Sequence, residues 1–378
     1  MAVKEIKAKS ILRKYKKIDS WFISRYGMNL YNGCVHNCSY CDGRAEKYQV
    51  EGDFGRDITV KTNAIEILDR ELNPIRKRVP LKKCFMILGG GVCDCYQPVE
   101  KKYRLSREVL KLFEKYNFPV HVLTKSTLVS RDLDLISQIN EQSRSVVSFS
   151  FSTVDEKLAR QLEPGVPTPK ERLNTISLFK KQGIACGMFL MPVVPFLTDS
   201  DQMMDQSLSA GIDAGIDFVI FGGMTLKKGR QNDHFLALVQ RYFPELKSKI
   251  SGIYGWNQWG QADATYYTQL HARFYQIAKR HKLPVRMPLP LYRDLLDEND
   301  LVTVILEQID YLLKLNNRSS PYSLAAFSIS KIKESLASMK GDLTKLKGVG
   351  RVTERIILEI LEKKDSAYYQ ALMNYQTT

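Results

Sequence analysis

The stretch "NLYNGCVHNCSYCDGR", residues 29–44, places Cys34, Cys38 and Cys41 on one short segment of a chain with seven cysteines in all. The spacing is C-x3-C-x2-C. Three thiolates so placed can converge on three corners of a cubane iron–sulfur cluster, for which cysteine is the ordinary ligand. Structural zinc asks for four ligands, usually as two separated pairs. His36 lies inside the segment, and Cys84, Cys93 or Cys95 could supply a distant fourth donor, so the spacing alone leaves zinc open. A cluster held by three cysteines differs from a closed metal site in one respect. Its fourth iron is free to bind a small molecule.

Beyond the cysteines, short apolar runs alternate with amphipathic stretches from about residue 84. "CFMILGG" (84–90), "PVHVLTK" (119–125), "VVSFSFS" (146–152), "IACGMFLMPVVP" (184–195) and "DFVIFGG" (217–223) read as strands. Between them, 102–116, 132–140, 170–183 and a stretch from about Ser200 read as helices. This alternation predicts an α/β fold with parallel strands and right-handed crossovers, either a barrel or an open sheet. In both, ligands collect at the C-terminal ends of the strands. After about residue 290 the pattern becomes helical, with a polar break at "LNNRSSPYS" (315–323).

The bulk properties narrow the class. At 378 residues, with 44% apolar and 10% aromatic residues, the chain can bury a large core and is not disordered throughout. The longest apolar run, Ile184 to Leu197, is short for a membrane span and is interrupted by Pro192 and Pro195. The first residues are basic but lack the apolar core of a secretory signal. A cytoplasmic protein without a membrane partner is expected, with its thiols reduced. The net charge of +15 favours polyanionic partners such as nucleic acid, although a merely soluble surface is the competing reading.

Cys34, Cys38, Tyr40 and Cys41 together resemble the C-x3-C-x-aromatic-C signature of the radical S-adenosylmethionine (SAM) enzymes. The resemblance implies a [4Fe-4S] cluster whose open iron chelates SAM, and an electron donor such as flavodoxin or ferredoxin. "ITVKTNAIEIL" (58–68), "GGGVCDCYQPVEKKYRLSREVL" (89–110), "VHVLTKSTLVSRDLDLI" (120–136), "SFSTVDEKLARQLEPGVPTPKERL" (148–173) and "MPVVPFLTDS" (191–200) resemble one branch, the spore photoproduct lyase and DNA repair photolyase-like proteins. This likeness implies a partial (β/α)6 barrel over about residues 21–290, with the cluster on the loop after its first strand.

By the same resemblance Tyr40 packs near the cofactor's adenine, and Gly89, Gly90 and Gly91 end the second strand beside its amino group. The superfamily often carries Glu after such glycines; here Val92 follows. Lys125 is similar to the family lysine that reaches the methionyl carboxylate. Ser148 and Ser150, two apart on one strand, share a face and could donate to the cofactor. The branch's hydrogen-donating cysteine is replaced by Gly91, which makes strict spore photoproduct lyase activity doubtful. Cys93 and Cys95 are the expected substitutes, provided the segment stays extended so that both face the same way. The competing reading makes both small buried hydrophobes.

Toward the C-terminus, "LTKLKGVGRVTERIILEILE" (343–362) resembles a helix-hairpin-helix motif. Lys347, Gly348, Gly350 and Arg351 would meet a phosphate backbone, and Glu354 stands where the motif often has alanine. The expected organisation is a basic N-terminal arm (1–20), the barrel (21–290), a helical connector (291–340) and the hairpin-like segment (341–378). The function expected is a lyase-type radical SAM enzyme acting on nucleic acid, most simply in DNA lesion repair. A radical enzyme for a small molecule or protein, and a metal-stabilised nucleic-acid binder without turnover, are the alternatives.

Overall fold

The apolar runs of the sequence fold as parallel strands of one curled sheet in the computed structural model, which describes residues 2–76, 79–90, 93–255 and 259–376. In chain order the strands are β1 (Val3–Ile6), β2 (Leu12–Asp19), β3 (Ser24–Met28), β4 (Tyr31–Asn32), β5 (Ile58–Lys61), β6 (Met86–Gly89), β7 (Val120–Thr124), β8 (Ser145–Phe151), β9 (Ala185–Val193) and β10 (Phe218–Gly223). The large sheet has the order β10-β9-β8-β7-β6-β3-β2. Its six strands β3 and β6–β10 run parallel, and β2 pairs antiparallel at the edge. This is the expected partial (β/α)6 barrel. Every residue of β6 and β8 is buried, as in a parallel sheet covered on both faces.

The returning helices fall where the amphipathic stretches predicted them, with one break. Arg104 adopts φ +53° and divides the expected 102–116 helix into Glu100–Tyr103 and Leu105–Lys115. The helix Pro169–Lys181 shows how local signals position a site residue. Thr168 Oγ accepts from the Glu171 amide at 3.3 Å, Glu171 accepts from the Thr168 amide at 2.7 Å, and Pro169 starts the first turn. This capping box fixes the helix start and turns Arg172 inward, fully buried.

Residues 1–20 carry two strands. β1 lies parallel to β5, which pairs antiparallel with β4 in a small sheet of order β1-β5-β4. Lys14, Lys16 and Lys17 of β2 are exposed on this edge strand, while Ile18 faces the core. Exposed charge at successive positions leaves no alternation to read, so sequence reading saw only a basic arm.

After residue 290 the chain is helical. Glu298–Leu315 is almost wholly buried and packs on β2 and on the helices Tyr322–Ile329, Arg351–Lys363 and Ala367–Met373. It is tied to the barrel by Arg25 of β3, whose Nε donates to Asp300 Oδ2 at 2.6 Å. The hairpin-like segment departs from its motif. Leu343–Lys345 forms a single 3-10 turn, not the first helix of a pair, before Gly350 opens Arg351–Lys363. Leu343, Val349, Ile356, Ile357 and Ile360 are buried and Leu346 is half-buried.

Candidate active site

The short strand β4 ends two residues before Cys34, so the cysteine segment leaves the sheet beside the C-terminal end of the first parallel strand. Neighbouring elements hold its backbone from several sides. The Val35 amide donates to Gln97 Oε1 at 3.0 Å, and Gln97 Nε2 donates to the Gly33 carbonyl at 3.1 Å. The Ser39 amide donates to the Leu162 carbonyl at 2.8 Å, the Gly165 amide to the His36 carbonyl at 3.0 Å, and Gln231 Nε2 to the Tyr40 carbonyl at 3.0 Å. Arg44 folds back beneath the loop, donating from Nε to the Cys38 carbonyl at 3.3 Å. The loop is thus shaped by protein contacts alone.

All three cysteines are free thiols, Cys34 and Cys38 buried and Cys41 half-buried. Burial pushes each thiol up; the Asp94 carboxylate adds to this at Cys34 and the Glu163 carboxylate at Cys38. The charge of Arg44 lies within electrostatic reach of all three. Among the described residues no group of three or more His, Cys, Asp or Glu closes on one point as a single-ion site would. A cubane does not need that convergence, because each thiolate takes a different iron corner.

Beside Cys38 lies a buried polar pocket centred on Glu163. Its Oε1 accepts from the Tyr40 hydroxyl, from Lys125 Nζ at 3.1 Å and from Ser152 Oγ at 3.3 Å. Its Oε2 accepts from Arg172 Nη2 at 2.7 Å, and Arg172 Nη1 donates to the Ser150 carbonyl at 2.5 Å. Burial alone would push the Glu163 carboxyl up; Arg172, Lys125 and the Tyr40 hydroxyl override it and hold it at about 2. Lys125 also donates to Ser150 Oγ at 2.8 Å and sits 5.6 Å from the centre of the Tyr40 ring. Asp94 fastens the base of this lysine, accepting from its amide at 2.7 Å and from Thr124 Oγ1 at 2.7 Å. His36 approaches Asp94 at 3.4 Å and, because it is buried, its pKa is lowered toward the neutral ring.

Tyr40, Lys125 and Ser150 are therefore gathered next to the cysteine loop. Ser148 is not. Two residues deeper on β8, it is spaced from Ser150 by one pleat repeat and pairs with His121 Nε2 at 2.8 Å. Gly89 and Gly90 both have positive φ, but the close approach is to the chain itself. A Cβ on Gly89 would lie 2.0 Å from the Leu123 carbonyl oxygen, and one on Gly90 would lie 3.0 Å from the Phe22 ring. Gly91 lies outside the described residues. The segment after it is a turn, closed by the Gln97 amide on the Asp94 carbonyl, so the extended geometry assumed for Cys93 and Cys95 is absent. Asp94, between them, reaches the pocket. Cys93 donates to the Tyr31 carbonyl at 3.2 Å and Cys95 is buried behind the turn; neither joins the Asp94–Lys125–Glu163 network.

At the C-terminal segment Lys347, Gly350 and Arg351 are exposed, while Gly348 is pressed against the start of Tyr322–Ile329, where a Cβ would lie 2.8 Å from the Ala325 amide nitrogen. In the aromatic tract 254–267, Trp256 lies outside the described residues. Tyr266 is tied to Asp199 at 2.7 Å, while Tyr267 packs on His271 yet stays exposed, as does Trp259. Sequence reading missed Glu163, Arg172, Asp94 and Gln97. Nothing local marks them; Arg172 pairs with Glu163 nine residues before it, and the partners that tie the four to the cysteine loop and Lys125 lie tens of residues away.

The donor set fits a cluster and its cofactor: three reduced thiols on one shaped loop, and an ammonium, a hydroxyl and an aromatic ring placed together beside it. The profile of the Radical SAM superfamily matches residues 28–208. An uncharacterized protein of Mycobacterium tuberculosis (strain ATCC 25618 / H37Rv) is 34% identical over 234 residues, covering 61% of this chain and 67% of that one. An uncharacterized protein of Methanocaldococcus jannaschii is 28% identical over 229 residues, covering 60% and 80%. Among solved structures, spore photoproduct lyase complexed with dinucleoside spore photoproduct shares the fold, with a TM-score of 0.54 and 13% identity over 74% of this chain and 79% of that one. A mutant of that enzyme with bound AdoMet and dinucleoside spore photoproduct gives 0.52, with 16% identity over 71% and 78%. The fold and the cysteine loop define a radical SAM barrel. The chain belongs to the radical SAM superfamily, whose members use a [4Fe-4S] cluster and SAM.

Proposed function

We propose that this protein cleaves SAM reductively and directs the resulting radical at a nucleic acid, in a lyase-type repair reaction on DNA. The observation that carries the first half is Lys125 and Tyr40 meeting at one buried carboxylate, Glu163, beside Cys38, with Ser150 Oγ on the same lysine. A site that already holds a carboxylate with an ammonium and a hydroxyl is chemically suited to a second one, that of methionine. Cys34, Cys38 and Cys41 would hold the cluster, and Lys125 would bind the cofactor's carboxylate with Asp94 fixing the lysine's backbone. Tyr40 would offer its ring face to the adenine, and Glu163 with Arg172 would keep Tyr40 and Lys125 from swinging out. The bound group supplies the homolytic chemistry; these residues bind, orient and exclude water.

The nucleic-acid half is supported by the +15 charge, by exposed Lys347 and Arg351 beside Gly350, and by the fold shared with an enzyme captured with a dinucleoside photoproduct. A base would have to leave its stack to enter the barrel. Cys93 and Cys95 have no role in this reading, since both thiols face protein.

Two measurements test it. Anaerobically reconstituted protein with dithionite and SAM is expected to form 5′-deoxyadenosine; none would remove the enzyme reading in favour of a binder without turnover. Deuterium from a labelled oligonucleotide carrying thymine photolesions is expected in that product. Formation of 5′-deoxyadenosine without label transfer would move the substrate out of nucleic acid.

A further inference from the structure

A groove of about 840 Å³ adjoins the cysteine loop, between the helices Glu156–Leu162 and Arg230–Tyr242. Asn37 and Ser39, either side of Cys38, line it, and so does Pro164, which follows Glu163. Ser39 is 1% exposed, and its hydroxyl has no partner among the described residues. A buried hydroxyl left unpaired is costly, so it marks a place for a polar ligand atom. The walls are cationic. Lys157 and Arg160 belong to one helix and Arg241 to the other, all exposed, and none has an ion pair among the described residues. Arg241 lies over the exposed Tyr242 ring at 5.1 Å, and Glu156 is the single carboxylate of the lining.

We propose that this groove holds an unpaired nucleic-acid strand by its phosphates, between Lys157 and Arg160 on one wall and Arg241 on the other. The inference rests on the nucleic-acid half of the proposed function and names the surface and the strandedness of that substrate. Size excludes a duplex: the volume lies among those of small-ligand pockets, about 300–1,000 Å³, which suits a nucleotide or two of an extended strand. Cations on both walls match a backbone that is tracked without being read, and the Tyr242 ring offers a face on which a base can stack. A phosphate oxygen on the floor gives the Ser39 hydroxyl the acceptor it lacks. The floor also joins the groove to the chemistry. Ser39 lies between Cys38 and Tyr40, and Pro164 is bonded to Glu163, so a strand seated here runs beside the residues of the cofactor pocket. A neighbouring base that is already unpaired turns toward the barrel without the cost of opening a duplex.

The test uses the cluster-loaded full chain and two triple variants at these exposed positions. One carries Lys157→Gln, Arg160→Gln and Arg241→Gln, the other Lys157→Glu, Arg160→Glu and Arg241→Glu. A labelled oligothymidylate is titrated against each from low to high salt, without SAM or reductant. Losing three phosphate contacts is expected to weaken binding at least roughly tenfold at low salt. The salt slope should become shallower by about two, at about 0.7 per contact on a single strand. The glutamate variant should bind more weakly still, and a duplex of the same sequence should lose clearly less than the single strand. Unchanged affinity and slope in both variants overturn the proposal and leave the strand to the C-terminal segment. An equal loss for the duplex overturns the assignment to an unpaired strand. Full competition by thymidine monophosphate at the strand's own concentration overturns it in favour of a free nucleotide. Variants that keep the oligothymidylate but lose an acidic flavodoxin overturn it in favour of a protein partner. A wild-type chain that binds no oligonucleotide overturns the nucleic-acid reading itself, and the groove assignment with it.

Discussion

Two sets of charges near the cysteine loop are used in opposite ways. In the Glu163 cluster, Glu163 and Arg172 are buried and Lys125 is half-buried, and each is matched by a partner within 3.1 Å. Around the groove lined by Asn37 and Ser39, Lys157, Arg160 and Arg241 stand in solvent without an ion pair among the described residues. Buried charge must be satisfied within the fold, because an unpaired ion in a low-dielectric interior is expensive. Such charge fixes the geometry in which Lys125 is presented to a cofactor. Exposed charge costs little and stays available. The charges near the eight-residue cysteine segment thus divide into a paired, enclosed set and an exposed, unpaired one.

This contrast can be broken from the inside first. Cys38→Ala is expected to abolish 5′-deoxyadenosine formation, read against iron content and the absorbance of the reconstituted protein; full activity would end the cluster reading. Arg172→Met should be the most damaging change that leaves the loop sequence intact. It strands Glu163 against Lys125 alone, and breaking a buried pair of this kind costs about 3–5 kcal/mol, measurable as a fall in denaturant midpoint. Glu163 itself makes a pH prediction. Its folded pKa lies below the unfolded value, so the stability it contributes is present above the unfolded pKa of about 4.5 and is lost as pH falls toward about 2. With about 1.4 kcal/mol per pKa unit, the wild type should lose on the order of 3 kcal/mol across that window, and Glu163→Gln should lose clearly less.

Smaller effects sharpen the comparison. Lys125→Ala removes a charge-assisted contact worth about 1.5–3 kcal/mol, so SAM affinity should fall roughly 10- to 100-fold by direct titration. Unaltered affinity would detach the pocket from the cofactor. At the C-terminal segment, Lys347→Glu with Arg351→Glu should weaken oligonucleotide binding modestly and reduce the salt slope by about one per lost phosphate contact. An identical slope would leave that surface without a nucleic-acid role.

What was legible in the sequence was what local spacing encodes. Three cysteines within eight residues declared the metal loop, and apolar runs separated by amphipathic ones declared six parallel strands but for β3. Lys125 was found through its likeness to the family lysine at the end of one of those runs. Glu163 was not, since its meaning comes from Lys125, 38 residues away, and from Tyr40, 123 residues away. β2 was hidden because exposed charge at successive positions leaves no alternation to read. Gly89 also has a reason for its bare α-carbon that the sequence does not show. The Leu123 carbonyl that demands a bare α-carbon belongs to the next strand, and no run of residues around Gly89 shows it. Cys93 and Cys95 were aligned on a strand that ends at Gly89, and the turn beyond it presents Asp94 instead.

The pair between Arg25 on β3 and Asp300 on Glu298–Leu315 has a practical consequence. It staples the first barrel strand to a helix that begins only after the sheet is complete. A chain shortened at residue 290 would leave a buried guanidinium without its counter-ion in the strand next to the cysteine loop. Anyone seeking a minimal catalytic fragment should therefore expect an insoluble product, and should trim beyond the stapling helix instead.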